Sequence, residues 1–140
     1  MKEIELSAEK LERVREAFQK VPFARLLGLE IGEARHGEAT IYLNLREDLK
    51  QNNGVVHGGA IASLVDTAAA FAILTVLEAG QTTTTVDLTI HYMRPLVKGR
   101  VAARATVLRA GRRMITVSVE VRDEAETLVT TALTTYIRLS

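Results

Sequence analysis

One acid interrupts an otherwise apolar segment: Asp66 follows Leu64 and Val65 and precedes the run Thr67 to Phe71. A carboxylate in such company must be neutralised or hydrogen-bonded, because burying it uncompensated costs several kcal/mol. Nine positions upstream stands His57, followed by Gly58 and Gly59 and preceded by the polar run Gln51, Asn52 and Asn53. A carboxylate can serve as nucleophile or general base. A helix beginning at two glycines presents unpaired N–H groups, with a partial positive charge, that another molecule can approach closely. A polarised carbonyl or an oxyanion is the natural guest of such a terminus. Glycine is also an ordinary loop residue and a modest N-cap, so the pair draws its meaning from its position relative to His57 and Asp66.

The element that must position these groups is a helix over Ala60 to Leu77, rich in alanine and leucine, free of proline, and bounded by Gly58-Gly59 and Gly80. It is apolar nearly all round, which marks a core or membrane helix. Asp66 in mid-segment argues against a membrane span, where it would cost roughly 2.5 to 3.5 kcal/mol. One turn away on either side lie Ala62, Ser63, Ala69 and Ala70. These small side chains suit either close packing or room for a substrate beside the carboxylate. The plainest alternative for Asp66 is a structural acid satisfied by a threonine or an arginine.

Helix geometry separates the two groups. Nine residues correspond to about 900° of rotation and ~13.5 Å of rise, so His57 and Asp66 fall on opposite sides. If the Gly58 end and the Asp66 carboxylate serve one reaction centre, they come from two copies of the chain. An obligate homodimer with sites across its interface is expected.

At 140 residues the chain fits one domain, expected over 1–140, with 1–22 as an N-terminal helix and lead-in. Its 47% hydrophobic and 25% charged content is that of an ordinary soluble protein. The absence of cysteine excludes disulfides, thiolate nucleophiles and thiolate metal sites. His36, His57 and His91 are too scattered to suggest a metal site. Met1 to Glu12 is mostly charged, with no apolar signal region, so a cytoplasmic location is expected. The net charge of +1 gives no general pull toward nucleic acid. Between Arg94 and Arg113, however, lie seven cations and no acid: Arg94, Lys98, Arg100, Arg104, Arg109, Arg112 and Arg113. They read either as a solvated, edge-protecting sheet surface or as a dock for a phosphorylated ligand.

Upstream, Ser7 to Lys20 reads as an amphipathic helix with Ser7 as its N-cap, ended by Pro22. Ile31 to Leu45 has strand character, interrupted by a turn at Arg35 to Gly37. After the central helix come alternating segments at Thr83 to Met93, Arg100 to Leu108, Met114 to Arg122 and Thr127 to Arg138. Ala110-Gly111 and Asp123-Glu124-Ala125 read as the intervening turns. One long apolar helix followed by a meander of amphipathic strands implies an α+β fold, with an antiparallel sheet wrapped around the helix. Dimerisation would manage the remaining sheet face and edges.

These residues resemble the hotdog-fold thioesterase superfamily, in particular its phenylacetate-pathway and hydroxybenzoyl-CoA-type branches. The motif runs from Gln51 through His57-Gly58-Gly59 to Ser63-Leu64-Val65-Asp66-Thr67, with support from Thr85-Val86-Asp87 and Tyr92-Met93-Arg94-Pro95. The resemblance implies hydrolysis of an acyl-CoA thioester without a cofactor. Gly58 N–H would polarise the carbonyl, and Asp66 of the partner chain would be the nucleophile or general base. Gln51 would orient water or carbonyl, His57 would hold the site together, and Thr85 would place a hydroxyl beside the acid. Gly59, Asn53 and Ala70, with Arg94, Arg109, Arg112 and Arg113, would contact the substrate. The assembly implied is a homotetramer, a dimer of dimers. Some branches carry asparagine at the Gln51 position and others pair glutamate with glutamine; here Gln51 is combined with the shorter Asp66. A non-catalytic acyl-CoA-binding protein and a dehydratase of acyl chains are the alternatives on the same fold. The Gln51 and Asp66 pair counts against the first, and the His-Gly-Gly start fits the second less well.

Overall fold

The computed structural model describes residues 4–139; Met1 to Glu3 and Ser140, part of the expected domain, lie outside the described residues. Ser7 caps the first helix, α1 (Ala8–Gln19), its Oγ accepting the Lys10 N–H at 3.1 Å. Pro22 does more than end that helix. It opens a second one, α2 (Pro22–Leu27), where proline at the first helical position lacks only an N–H that would be unpaired anyway. Gly28 closes α2 in the left-handed region at φ 72°.

Two strands follow, β1 (Glu30–Arg35) and β2 (Glu38–Asn44), then a short 3-10 turn at Glu47–Leu49 and the central helix α3 (Gly58–Leu74). That helix starts two residues before, and stops three residues before, the expected limits of Ala60 and Leu77. Its end is fixed by Thr75, fully buried, whose Oγ1 donates to Ala72 O at 2.6 Å and accepts the Gly37 N–H at 2.7 Å. One hydroxyl thereby ties the helix terminus to the β1–β2 turn. Lys10 Nζ reaches over from α1 to the Leu77 carbonyl at 2.8 Å.

The remaining strands are β3 (Thr83–Tyr92), β4 (Arg100–Ala110), β5 (Met114–Arg122) and β6 (Leu128–Arg138). All six form one antiparallel sheet in the order β1-β2-β4-β5-β6-β3. Only β4, β5 and β6 form the expected meander. β3 pairs with β6 instead of β4 and so becomes an edge. The segment 93–99 makes the crossing, held by Met93 N–H and Arg94 N–H on Val129 O, Val56 N–H on Leu96 O, and Leu45 N–H on Gly99 O. Ala110 belongs to β4, which leaves Gly111, Arg112 and Arg113 to turn the hairpin.

The core lies between α3 and the concave face of β2, β4 and β5. Leu64, Val65, Ala68, Ala69 and Ile73 of the helix are buried with Ile41, Leu43, Val101, Val117, Val119 and Val121 of the sheet. Phe18 closes one flank edge-on to Phe71, ring centroids 5.2 Å apart. The helix is less covered on its other side, where Ser63, Asp66, Thr67, Ala70 and Leu74 remain half-buried.

Replacing Thr75 by valine keeps the shape but leaves the Gly37 N–H without its acceptor. We expect a loss of about 1 to 3 kcal/mol in urea unfolding, with Thr75→Ser, which retains the hydroxyl, losing less.

Candidate active site

Residues 51–54 form a turn in which Gly54 N–H donates to Gln51 O at 3.1 Å and Gly54 takes φ 83°. The Asn53 N–H also donates to the Gln51 side-chain oxygen. Gln51 therefore has its carbonyl engaged locally, and its NH2 is the end that can meet a ligand. Asn53 sits exposed in the turn. The loop is then clamped by Val56 N–H on Leu96 O at 2.7 Å and His57 N–H on Leu49 O at 2.8 Å.

His57 is the N-cap of α3. Its Nδ1 accepts the Gly59 N–H at 2.7 Å, which places the proton of the neutral ring on Nε2. A Cβ at position 59 would lie 2.9 Å from that nitrogen, so glycine is required for this close approach. With the Gly59 N–H committed to the cap, Gly58 supplies the outward amide: it is the first helical residue, and none of the loop hydrogen bonds uses its N–H. From below, Tyr92 Oη donates to Gly58 O at 2.8 Å. A groove of about 300 Å³ opens here between Val55, Gly58, Ile61, Tyr92, Arg94 and Leu96.

Asp66 lies two turns further along. Its Oδ1 accepts from Thr85 Oγ1 of β3 at 2.9 Å and from Tyr136 Oη of β6 at 2.6 Å. The two donors face each other across the β3–β6 ladder. A bulge between Thr85 and Asp87 makes this possible. Without it, the strand's period of two would turn Val86, Leu88 and Ile90 to one face and Thr85 to the other. With it, Val86 is 51% exposed while Thr85, Leu88 and Ile90 are all half-buried on the helix side. Burial pushes the Tyr136 phenol well above its ordinary range, and the hydrogen bond to Asp66 adds to the rise. Tyr136 therefore stays a neutral donor. No hydrogen bond is made to Asp66 Oδ2, and among the described residues no fully buried side-chain polar atom lacks a partner, so this oxygen is not fully buried.

Tyr136 is absent from the residues expected from sequence. The available signal is a lone phenol in a strand of threonines and aliphatic residues, since a buried tyrosine hydroxyl needs a polar partner. A threonine beside the acid fits both the structural alternative for Asp66 and the resemblance; the second partner is this tyrosine, not an arginine.

The structure does not bring the two groups together within one chain. His57 is extended, at φ −62° and ψ 134°, so the half-turn offset counted from it does not apply. Counted from Gly58, eight helical residues give about 80° of rotation and ~12 Å of rise. The rise alone keeps the Gly58 amide from the Asp66 carboxylate. Along the sheet, Tyr92 pairs with Thr130 while Thr85 pairs with Tyr136, a span of ~20 Å.

The seven cations likewise do not form one patch. Arg100 pairs with Glu30 at 3.4 Å and stacks over the Tyr42 ring at 4.0 Å, and Arg104 pairs with Glu38 at 3.4 Å. These are surface pairs of small energetic weight. Arg94 stands beside Gly58, whereas exposed Arg109, Arg112 and Arg113 cluster at the β4–β5 turn, next to the Tyr136 end of β6. Ala70 lies half-buried one turn beyond Asp66. Among the described residues no group of three or more His, Cys, Asp or Glu side chains could hold a metal ion, and no helix is long and apolar enough to cross a membrane.

Comparison with known proteins bears on this arrangement. Residues 53–130 match the family model described as thioesterase superfamily. The medium/long-chain acyl-CoA thioesterase YigI of Salmonella typhimurium is 31% identical over 94% of this chain and 96% of its own length. Among solved structures, a variant of the phenylacetic acid degradation protein PaaI from Thermus thermophilus is 36% identical, covering 85% of this chain and all (100%) of that one, at a TM-score of 0.78. PaaI of Escherichia coli, 23% identical, covers 96% of both chains at a TM-score of 0.89, a likeness of fold.

The role of His57 as a cap can be isolated by substitution. His57→Ala removes the acceptor for the Gly59 N–H and should lower stability by about 1 kcal/mol in thermal unfolding; His57→Asn, a good N-cap without an imidazole, should recover most of it.

Proposed function

The chain belongs to the thioesterase superfamily and is a thioester hydrolase, and we propose that it hydrolyses acyl-CoA to free acid and CoA at a site shared between two copies. The observation that carries this reading is the state of Asp66, half-buried on the central helix: one oxygen is held by two hydroxyls while the other takes no hydrogen bond and is not fully buried. The name of the YigI relative supports acyl-CoA as the substrate class.

Two copies supply what one chain keeps apart. β3 is an edge strand of ten residues with Val86 and Tyr92 half-exposed on it, and an unpaired edge of this length is a template for another strand. Antiparallel pairing of β3 with its copy turns the Thr85 end of one chain toward the Tyr92 end of the other. The Gly58 amide, the Gln51 NH2 and Arg94 then flank the partner's Asp66, Ala70, Arg112 and Arg113, with Arg109 nearby.

In this arrangement the Gly58 N–H, at the positive end of α3, stabilises the charge that develops on the thioester oxygen, and Gln51 orients the carbonyl or the water. Asp66 either takes a proton from water as the water oxygen bonds to the carbonyl carbon, or attacks that carbon itself to give a mixed anhydride that water then cleaves. In both routes the C–S bond breaks, and CoA leaves as a thiolate that takes up a proton. Ala70 leaves space for the acyl group, and the unpaired arginines suit the phosphates of CoA. Pairing of two such dimers into a tetramer, and a cytoplasmic location, belong to the same reading.

Asp66→Asn preserves size while removing the charge, so kcat should fall by roughly 10² to 10⁴ with the fold retained. Turnover at the wild-type rate would mean that Asp66 is structural. The shared site has its own test. Gln51→Ala and Asp66→Ala homodimers should both be impaired, and refolding them together should restore up to about a quarter of wild-type activity, because half of the dimers then have one intact site of two. No recovery, with mixed dimers verified by mass spectrometry, would mean that each chain builds its own site. Reversing Arg112 and Arg113 to glutamate should raise KM for acyl-CoA far more than for a short thioester without the nucleotide, and the difference should shrink as salt screens it.

A further inference from the structure

The helix itself offers the Asp66 carboxylate no hydrogen bond. The helical neighbours that share its face are Ala62, Ser63, Ala69 and Ala70, and the hydroxyl of Ser63 is turned back onto Gly59 O at 2.8 Å. Orientation must therefore come from hydrogen bonds out of the sheet. Two are present, and they differ in quality. Thr85 sits on the edge strand and is half-exposed, whereas Tyr136 is 3% exposed in β6, between β5 and β3, and makes the shorter bond.

We propose that Tyr136 is a positioning residue for thioester hydrolysis: its hydroxyl, assisted by that of Thr85, fixes Asp66 through Oδ1 and presents Oδ2 to the reacting water or acyl carbon. The inference rests on the reading of Asp66 given above and extends it to a residue that never meets the substrate. Tyr136 Oη also lies 2.8 Å from the backbone carbonyl of Asp66. Its single proton goes to the carboxylate oxygen, which is nearer and charged, and a hydrogen bond to an ionised acceptor is the stronger one. With both hydroxyls donating to Oδ1, the lone pairs left for chemistry are those of Oδ2.

The test is a double-mutant cycle. Tyr136→Phe keeps the ring, and because Asp66 is half-exposed, water can take the place of the lost hydroxyl, so the fold should be retained; Tyr136→Met carries the same comparison if the phenylalanine variant does not fold. In the wild-type background we expect kcat to fall roughly 10- to 100-fold, the size of a lost hydrogen bond to a charged group, with KM little changed. In the Asp66→Asn background the same substitution should cost no more than about twofold, since the group it positions is gone. Equal losses in the two backgrounds, or no loss of kcat in the first, would overturn the proposal and leave Tyr136 a packing residue while Asp66 keeps its role. Full activity of Asp66→Asn alone would instead remove the catalytic reading of Asp66, and the positioning role with it.

Discussion

A carboxylate on the central helix has to be satisfied by the sheet that the helix packs against, and much of the topology serves that requirement. If the four strands after α3 ran as a simple meander, β3 would lie beside β4, under the part of the helix that buries Leu64, Ala68 and Ile73. By crossing to the far side and pairing with β6, β3 sets Thr85 opposite Tyr136, and the two hydroxyls converge on Asp66 Oδ1. The bulge at Val86 completes the arrangement, letting one strand turn a threonine inward at one end and apolar Leu88 and Ile90 inward further along. The cost is an edge strand that pairs on one side only among the described residues.

The same crossing builds the start of the helix. Segment 93–99 returns from β3 to β4 past the first turn of α3, where Leu96 O receives the Val56 N–H, and Tyr92, at the end of β3, holds the Gly58 carbonyl. His57 then caps the second amide and leaves the first. Each feature is ordinary helix-end chemistry. Together they yield one amide at the positive end of a 17-residue helix and one carboxylate ~12 Å along it, both facing out of the hydrophobic core.

Most of the elements were legible in the sequence because period-2 alternation and an alanine-rich run are strong signals; β5 was read at its observed limits, Met114 to Arg122. What the pattern could not carry was long-range. Strand order depends on where a connection crosses, and neither Val97 nor Gly99 announces that. Pro22 breaks α1, but proline at the first helical position with glycine six residues later is equally the signature of a short helix. At the site, the Gln51 to Asp66 constellation stood out through residue types and spacing, whereas Tyr136 is seventy positions from its partner. The basic stretch reads two ways for a related reason: the charges of Arg100 and Arg104 are answered by Glu30 and Glu38 on strands far earlier in the chain, as the solvated-surface reading expects.

Dividing the site between copies would also make assembly and specificity physically inseparable. The half-buried stripe of α3, with Ala70 and Leu74 beyond Asp66, is apolar surface that the chain itself leaves partly open. In the two-copy reading it has two possible occupants, the partner's loop and the acyl group. Small side chains there serve both, giving close approach for the partner and space for the substrate. A larger residue at position 70 would fill acyl space and push on the interface at once, so substrate range could drift more easily along the partner's side of the groove. There the walls come from loop residues such as Val55 and Met93, whose neighbours are solvent and turn rather than core.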